Sequence, residues 1–241
     1  FPKTPNIPHQ CGIAPVETTI MLHDFLKEKG VRDDVEILYT YPKVAQTVQD
    51  GLFLQEPTSE ALPAIYDSLG IKHKTSFTLS KVDPEKKIAY SEEGESIEFD
   101  ILMSTPPFVA TKFIRESGLS QALDNEGWLP TDRETLKVKG LDNVYTLGDT
   151  VDLPVSKAGG TIHNQTDIVA NNIASEIRIG YPTENYDGKV IAIAQMGLSC
   201  GMPLWYDYEE DVKPTQCSKL GSFIRKGFNL GVSWAAARAM I

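Results

Sequence analysis

The sequence predicts an α/β fold, and three observations carry that prediction. Helical and strand-like patterns alternate through residues 14–69. Short strand patterns separated by turn signals fill 71–105. A long helical pattern at 159–179 follows a buried run that ends in Gly148-Asp149. Alternation of the two periods is the mark of a mixed architecture rather than a bundle or a sandwich.

The elements follow in order. Residues 14–29 predict a helix: Val16, Ile20, Leu22, Phe25 and Leu26 recur near helical spacing, Pro15 suits the first turn, and Gly30 suits the C-terminal cap. Residues 35–40 read as a buried strand of mixed pattern. A second helix fits 58–69, with Thr58 as N-cap and Gly70 closing it, although Pro63 weakens its interior. Strands follow at 73–79, 86–90 and 96–99, the last two flanking a Glu93-Gly94 turn. Residues 100–105 predict a further buried strand that stops at Pro106-Pro107. Helix, strand, helix and then an antiparallel meander is the pattern of the later part of a nucleotide-binding type of α/β domain. Residues 143–149 read as a short buried strand. Residues 159–179 read as a strong helix with Ile162, Ile168, Val169, Ile173 and Ile177 on its buried side and Gly180 at its end. A strand at 189–194 precedes Cys200, which stands in a turn punctuated by Gly and Pro.

Composition narrows the function. With 241 residues, 41% hydrophobic and 23% charged, the chain can bury a substantial core, as one large domain or two small ones. Net charge is −10 and pI about 4.9. That argues against general nucleic-acid binding, which needs clustered Lys and Arg. No apolar run reaches roughly 18 residues, so no transmembrane helix is expected, and no segment reads as a signal peptide. Cys11, Cys200 and Cys217 are too few for a secreted disulfide scaffold. Without a Cys-x-x-Cys or a His/Cys cluster, no metal site is expected. The chain opens Phe1-Pro2-Lys3 with no initiator Met, which suggests a trimmed or processed polypeptide.

The most informative stretch is 141–150, LDNVYTLGDT. Gly148 lets a ligand approach the backbone closely. Asp149 is placed to accept hydrogen bonds from a ribose or polyol hydroxyl. The helix that follows points its N-terminus, and its partial positive charge, at whatever lies there. An ordinary turn also accounts for Gly-Asp taken alone. Among the other residues, Cys11 precedes the first helix, whose N-terminus would lower its thiol pKa. The Gly/Pro turn around Cys200 would give its backbone room for thiol–disulfide exchange. His163 stands one turn into the long helix. His9 is close to Cys11 in sequence. His23 and His73 read as solvated. Glu17 is either a proton acceptor or, more simply, a carboxylate that stabilises a helix start.

The run 141–150 resembles the second FAD motif of pyridine nucleotide-disulfide oxidoreductase-like flavoproteins. Its continuation LPVSKAGGTIHNQ (153–165) resembles sulfide:quinone oxidoreductases more narrowly. Cys11-Gly-Ile-Ala-Pro15 resembles the segment around that family's first flavin-proximal cysteine. Pro106-Pro107-Phe108 resembles the turn after the middle domain, and Leu198-Ser-Cys-Gly-Met-Pro203 the segment around the second cysteine. The likeness covers essentially 1–217, with the motifs in the same order.

The resemblance implies an incomplete pair of Rossmann-like domains of the FAD/NAD(P)-binding type, with an antiparallel meander. Residues 1–106 would be the second, NAD-binding-like domain lacking its first strand. Residues 107–217 would be the C-terminal half of the FAD-binding domain with the cysteine loop, and 218–241 an amphipathic tail. It implies FAD as cofactor, touched by Pro107, Gly148, Asp149, Thr150, Ser156, Lys157, Gly159 and Gln165. It implies Cys11 and Cys200 as a redox pair, joined by a disulfide or polysulfide bridge to which sulfide adds, with two electrons passing to quinone; sulfide or polysulfide and quinone are the partners. Cys217 matches no part of the pattern and reads as inert or incidental.

No Gly-x-Gly-x-x-Gly stands after any strand, so the site for the ADP half of FAD is missing. The chain is therefore expected to be a C-terminal fragment that needs an N-terminal FAD-binding segment as partner and is inactive alone. Residues 218–241 carry Lys219, Arg225, Lys226 and Arg238 and no acid. Leu220, Phe223, Gly227, Leu230, Trp234, Ala237 and Ile241 follow helical spacing there. Such a helix fits a bilayer interface, and equally packing on a further domain. The resemblance favours peripheral membrane contact, on the cytoplasmic face. The alternatives are a flavocytochrome c sulfide dehydrogenase flavin subunit, an NAD(P)H-dependent flavoprotein, and a non-catalytic binding or assembly module.

Overall fold

The computed structural model describes residues 13–40, 58–104, 111–124, 127–153, 155–210 and 215–236, with backbone alone for 58–62 and 232–236. Helices and strands are mixed along the chain, and the strands form three small sheets. The chain divides into two units of discontinuous sequence. The first comprises 1–12, 106–194 and 203–216; the second comprises 13–105, 195–202 and 217–241.

In the second unit, α1 (Ala14–Glu28) carries Pro in its first turn, as its sequence predicts, and Gly30 follows at φ 72°. Val16 and Ile20 are buried on its inner face, beside two polar residues, Glu17 and His23. The burial of His23 corrects the solvated position expected from sequence; its Nδ1 lies 3.1 Å from Asp24 Oδ1. A parallel pair follows, β1 (Leu38–Thr40) with β2 (Lys72–Lys74), joined through α2 (Thr58–Ser68). Arg32 fixes this crossover: Nη1 donates to Val35 O at 2.7 Å and Nη2 to Gly70 O at 2.6 Å. Tyr66 is buried, its ring 5.1 Å from that of Tyr39.

The expected meander is present as β3 (Leu79–Asp83), β4 (Ile88–Ser91) and β5 (Ser96–Glu98), paired antiparallel in that order. Two strand expectations need correction. The run 73–79 is broken, because Ser76 adopts φ 55° and an extended ladder cannot pass through that conformation. Residues 100–104 form no strand, and Ile101 is 84% and Met103 65% exposed. They adjoin β5, which pairs with β4. The last helix, α5 (Lys219–Ala236), completes this unit.

The first unit contains α3 (Lys112–Arg115), an irregular hairpin, α4 (Gly159–Ile179) and the paired strands β6 (Val190–Gln195) and β7 (Gly201–Tyr206), whose connecting turn 195–202 counts to the second unit. Its core is Leu136, Val151, Leu153, Val155, Val169, Tyr186 and Val190, with a smaller cluster around Ile114, Leu129 and Val138. Residues 143–149 are not a continuous strand. Tyr145 makes one antiparallel bridge to Lys137, and a 3-10 turn then takes over at Gly148–Thr150.

Helix α4 begins and ends where the sequence places it, with Gly180 at φ 89° closing it. Its buried face differs from the apolar stripe: Thr161, Gln165, Val169 and Asn172 face inward, whereas Ile173 is 41% and Ile177 81% exposed. Main-chain hydrogen bonds make the polar choice favourable. Asn172 Nδ2 donates to Thr135 O and Glu184 O, at 3.1 and 3.0 Å. Its Oδ1 accepts from Thr183 N and Glu184 N, at 3.0 and 2.8 Å.

Candidate functional site

The Gly-Asp turn lies wholly within the first unit and is built by short-range interactions. Leu147 is extended; Gly148 then turns at φ +70°, a conformation that costs an L side chain roughly 1–2 kcal/mol. A Cβ at Gly148 would stand 3.1 Å from Ile162 Cγ1, so the turn is pressed onto α4. Gly148 N–H donates to Gln165 Oε1 at 2.7 Å. Gln165 is completely buried. It thus acts as a clasp between turn and helix. Thr150 closes the turn from below, its Oγ1 2.6 Å from Thr146 Oγ1 and donating to Leu147 O. Asp149 stands between these anchored residues, with one carboxylate oxygen buried.

The segment that leads into α4 is anchored as well. Ser156 N–H donates to the Tyr206 hydroxyl at 2.9 Å, and Ser156 O accepts from Thr161 Oγ1 at 2.6 Å. Ala158 is extended, and no side chain caps the helix, whose first turn holds no acid. Gly159 has open space where a Cβ would stand; at Gly160 a Cβ would run into the Ile191 carbonyl, so only glycine lets α4 lie this close to β6. Lys157 folds back, its ammonium donating to Val151 O and standing 4.2 Å from the Trp128 ring centroid. Burial pushes its pKa down to about 8, against the pull of Asp149, Asp152 and Asp124. Burial likewise raises Tyr186 and Tyr208, which keep their phenol protons.

The structure therefore gathers Gly148, Asp149, Thr150, Ser156, Lys157, Gly159 and Gln165 in one unit. Pro107, Cys11 and His9 lie outside the described residues. His163 is exposed on α4. Sequence reasoning missed Trp128 and the tyrosines at 186, 206 and 208. The alternation Tyr206-Asp-Tyr208 at the end of β7 was the available signal.

Cys200 belongs to the second unit, and here the structure departs from expectation. It is disulfide-bonded to Cys217, with Cα atoms 5.6 Å apart, inside the usual 4.4–6.8 Å span. Cys217 is therefore not incidental. The turn around Cys200 is also not the loose segment its glycines suggest. Gln195 N–H donates to Glu17 Oε1 and Leu198 N–H to Asp24 Oδ2, both on α1. Gln195 Nε2 donates to Gly197 O and Ser222 Oγ, and Lys226 Nζ donates to Leu198 O. Glu17 is buried and bound by both Arg225 guanidinium nitrogens, Nη2 at 3.0 Å from Oε2. From the first turn of α1, where its sequence position predicts a carboxylate that suits the helix start, it also ties α1 to α5. Among the described residues no cluster of His, Cys, Asp and Glu could hold a metal ion.

A tight glycine turn followed by a carboxylate, and then by a long helix whose start no side chain caps, belongs to the class of α/β arrangements in which a helix start is open to an anion. Comparison with known proteins narrows that class. No family model matches the chain. It is 26% identical over 190 residues to the mitochondrial sulfide:quinone oxidoreductase of Mus musculus, covering 76% of this chain and 40% of that protein. It is 27% identical over 183 residues to the Dictyostelium discoideum counterpart, covering 74% of this chain and 38% of the relative. In fold it superposes on the sulfide:quinone oxidoreductase of the hyperthermophilic bacterium Aquifex aeolicus with a TM-score of 0.75, at 18% identity over 94% of this chain and 56% of that one. The chain is sulfide:quinone oxidoreductase-like, and it spans about 40% of the length of the curated relatives it matches.

Proposed function

We propose that the chain is the ring-facing and sulfur-bearing portion of an FAD-dependent oxidoreductase that takes electrons from sulfide and delivers them to quinone. The observation that carries this reading is the Gly148-Asp149 turn set against the uncapped start of α4. The likeness to sulfide:quinone oxidoreductases over three quarters of the chain supports it. The donor set fits FAD: open space at Gly159 and an acceptor carboxylate at Asp149 suit the polar edge of a flavin ring and its ribityl hydroxyls. When bound, FAD supplies two-electron redox chemistry. The N-terminus of α4 then favours negative charge near it. Asp149 accepts from a hydroxyl. Thr150 and Gln165 hold the turn rigid, Ser156 positions the approach to α4, and Pro107 borders the same cofactor. Lys157, its pKa pushed down to about 8 by burial, stands close by. Cys200 carries the sulfur chemistry, with Cys11 as the further thiol of the pattern.

Two Rossmann-like domains, each present in part, are the architecture that goes with this reading. Residues 1–106 then belong to the NAD-binding-like domain and 107–217 to the FAD-binding domain. Membrane contact is part of the reading too. In α5 the small and polar residues Gly221, Ser222 and Arg225 face its own unit. Leu220, Phe223, Ile224, Phe228 and Leu230 are exposed, Phe223 at 74%, beside Lys219 and Lys226. An outward apolar face with flanking cations suits a bilayer surface, where a quinone is dissolved. Among the described residues no helix is long and apolar enough to cross a membrane.

The test is anaerobic: the chain, joined to an N-terminal FAD-binding segment and loaded with FAD, is mixed with a short-chain ubiquinone and either sulfide or NADH. Sulfide-driven quinone reduction is expected. Reduction by NADH alone would overturn the reading in favour of an NAD(P)H-dependent flavoprotein, and sulfide-driven reduction of cytochrome c without quinone would favour a flavocytochrome partner.

A further inference from the structure

We infer that Asp24, oriented by His23, is the residue that positions Cys200, which rests on the reading above that Cys200 carries the sulfur chemistry. Asp24 grips the cysteine turn at its tip. Met196 N–H donates to Cys200 O at 2.8 Å and closes the loop 196–200. Within it Gly197 is buried and turns at φ 106°. A Cβ there would stand 2.3 Å from Asp24 Oδ2, so only glycine lets the loop settle on that carboxylate. The same oxygen accepts Leu198 N–H at 2.9 Å, while Leu198 O accepts from Lys226 Nζ at 2.8 Å. The peptide groups on both sides of Leu198 are thus held, one from α1 and one from α5. Beyond Cys200, Gly201 is paired in both directions with Ser218, at 2.9 and 3.0 Å. Ser199 and Cys200 alone stand between these two anchors, so the place of the Cys200 sulfur follows from the place of Leu198.

The other oxygen sets the carboxylate itself. His23 is buried, and its Nδ1 lies 3.1 Å from Asp24 Oδ1. A carboxylate accepts and does not donate, so Nδ1 carries the proton. With one oxygen on His23 and the other on Leu198, the carboxylate plane is fixed, and charge strengthens both bonds. Glu17 differs in what it holds. It too accepts a main-chain N–H, from Gln195, but that residue ends β6, and the Glu17 carboxylate is bound by Arg225. Glu17 joins two helices, whereas Asp24 meets the loop that bears the sulfur.

The experiment uses the chain joined to an N-terminal FAD-binding segment and loaded with FAD, as wild type, Asp24→Ala, Asp24→Asn and His23→Leu. Amide exchange is read at Leu198 and Gln195. The rate at which a trialkyl phosphine opens Cys200–Cys217 is read without sulfide. The kcat and KM for sulfide, with quinone as acceptor, are read per bound flavin. In Asp24→Ala exchange rises at Leu198 while Gln195 stays protected. Phosphine opening speeds up and kcat falls, each roughly tenfold, with KM unchanged, as expected for one lost bond to a charged group. Asp24→Asn restores most of both, because its amide oxygen still accepts Leu198 N–H and His23 meets the amide through its other tautomer. His23→Leu moves the same readings by less, about threefold.

Exchange at Leu198 no faster in Asp24→Ala overturns the assignment. So does exchange that rises equally at Gln195, which marks general loosening, and so does an Asp24→Asn as impaired as Asp24→Ala. Should Asp24→Ala not fold, His23→Leu decides, and wild-type exchange and phosphine rates there overturn it. Wild-type quinone reduction by sulfide that Asp24→Ala leaves unchanged sinks the positioning role and keeps the enzyme reading. Wild type that fails to reduce quinone, with the exchange and phosphine rates shifted as expected, sinks that reading and keeps the hold of Asp24 on the turn.

Discussion

The two units reach order by opposite routes. In the first, the turn at Gly148 and the clasp at Gln165 are separated by 17 residues, and the hairpin, turn and helix follow one another along the chain. In the second, the cysteine turn depends on Gln195 with Glu17, 178 residues apart, Leu198 with Asp24, 174 apart, and Arg225 with Glu17, 208 apart. Local order can be set by a motif; long-range order depends on single partners, each able to undo it. The first unit should therefore be most sensitive where a side chain holds main-chain groups, and the second should fail wherever one of its ties is cut.

The sharpest way to break this comparison is Arg225→Met. It leaves the buried Glu17 carboxylate without its counter-charge, and the expected cost is about 4 kcal/mol in urea denaturation. Limited proteolysis should show α5 released, while Glu17→Gln combined with Arg225→Met recovers part of the loss. If Arg225→Met alone is neutral, the second unit does not rest on its ties. Next comes Asn172→Leu in the first unit, which strands main-chain groups of Thr135, Thr183 and Glu184. A loss of about 3 kcal/mol is expected, read by thermal unfolding. Gly148→Ala should cost about 1–2 kcal/mol through its positive φ, and more of that cost should appear in flavin affinity than in the cysteine unit.

The smallest effect concerns Lys157. Its folded pKa is depressed to about 8 by burial, so between there and the ordinary lysine range the unfolded chain binds more protons than the folded one. Stability should accordingly rise with pH across that window, and the rise should vanish in Lys157→Met. A falling difference curve would mean that the ammonium is stabilised where it lies.

This division also explains what the sequence revealed. Residues 159–179, with Gly180 as cap, were legible because helix periodicity and a C-terminal glycine act locally. So was the meander around Gly94. The inward face of α4 was not, since Asn172 and Gln165 are buried for hydrogen bonds whose acceptors and donors lie elsewhere in the chain. Residues 100–104 carry the apolar run of a buried strand, yet that run does not by itself supply a ladder to join. The flavin-type turn could be read because its residues stand together in one stretch. Cys217 could not, because nothing near it in sequence tells of Cys200, and the pairing is completed by the bridge between Gly201 and Ser218.

The tie between Glu17 and Arg225 has a consequence for how the protein is made. Helix α1 leaves the ribosome with a carboxylate destined for burial, and its counter-ion is translated 208 residues later. Until then that acid must stay hydrated, so α1 cannot take its final seat while synthesis is under way. Ribosome-stalled chains that stop short of residue 225 should keep Glu17 open to solvent, which makes the arrival of α5 the signal that assembly of α1 can finish.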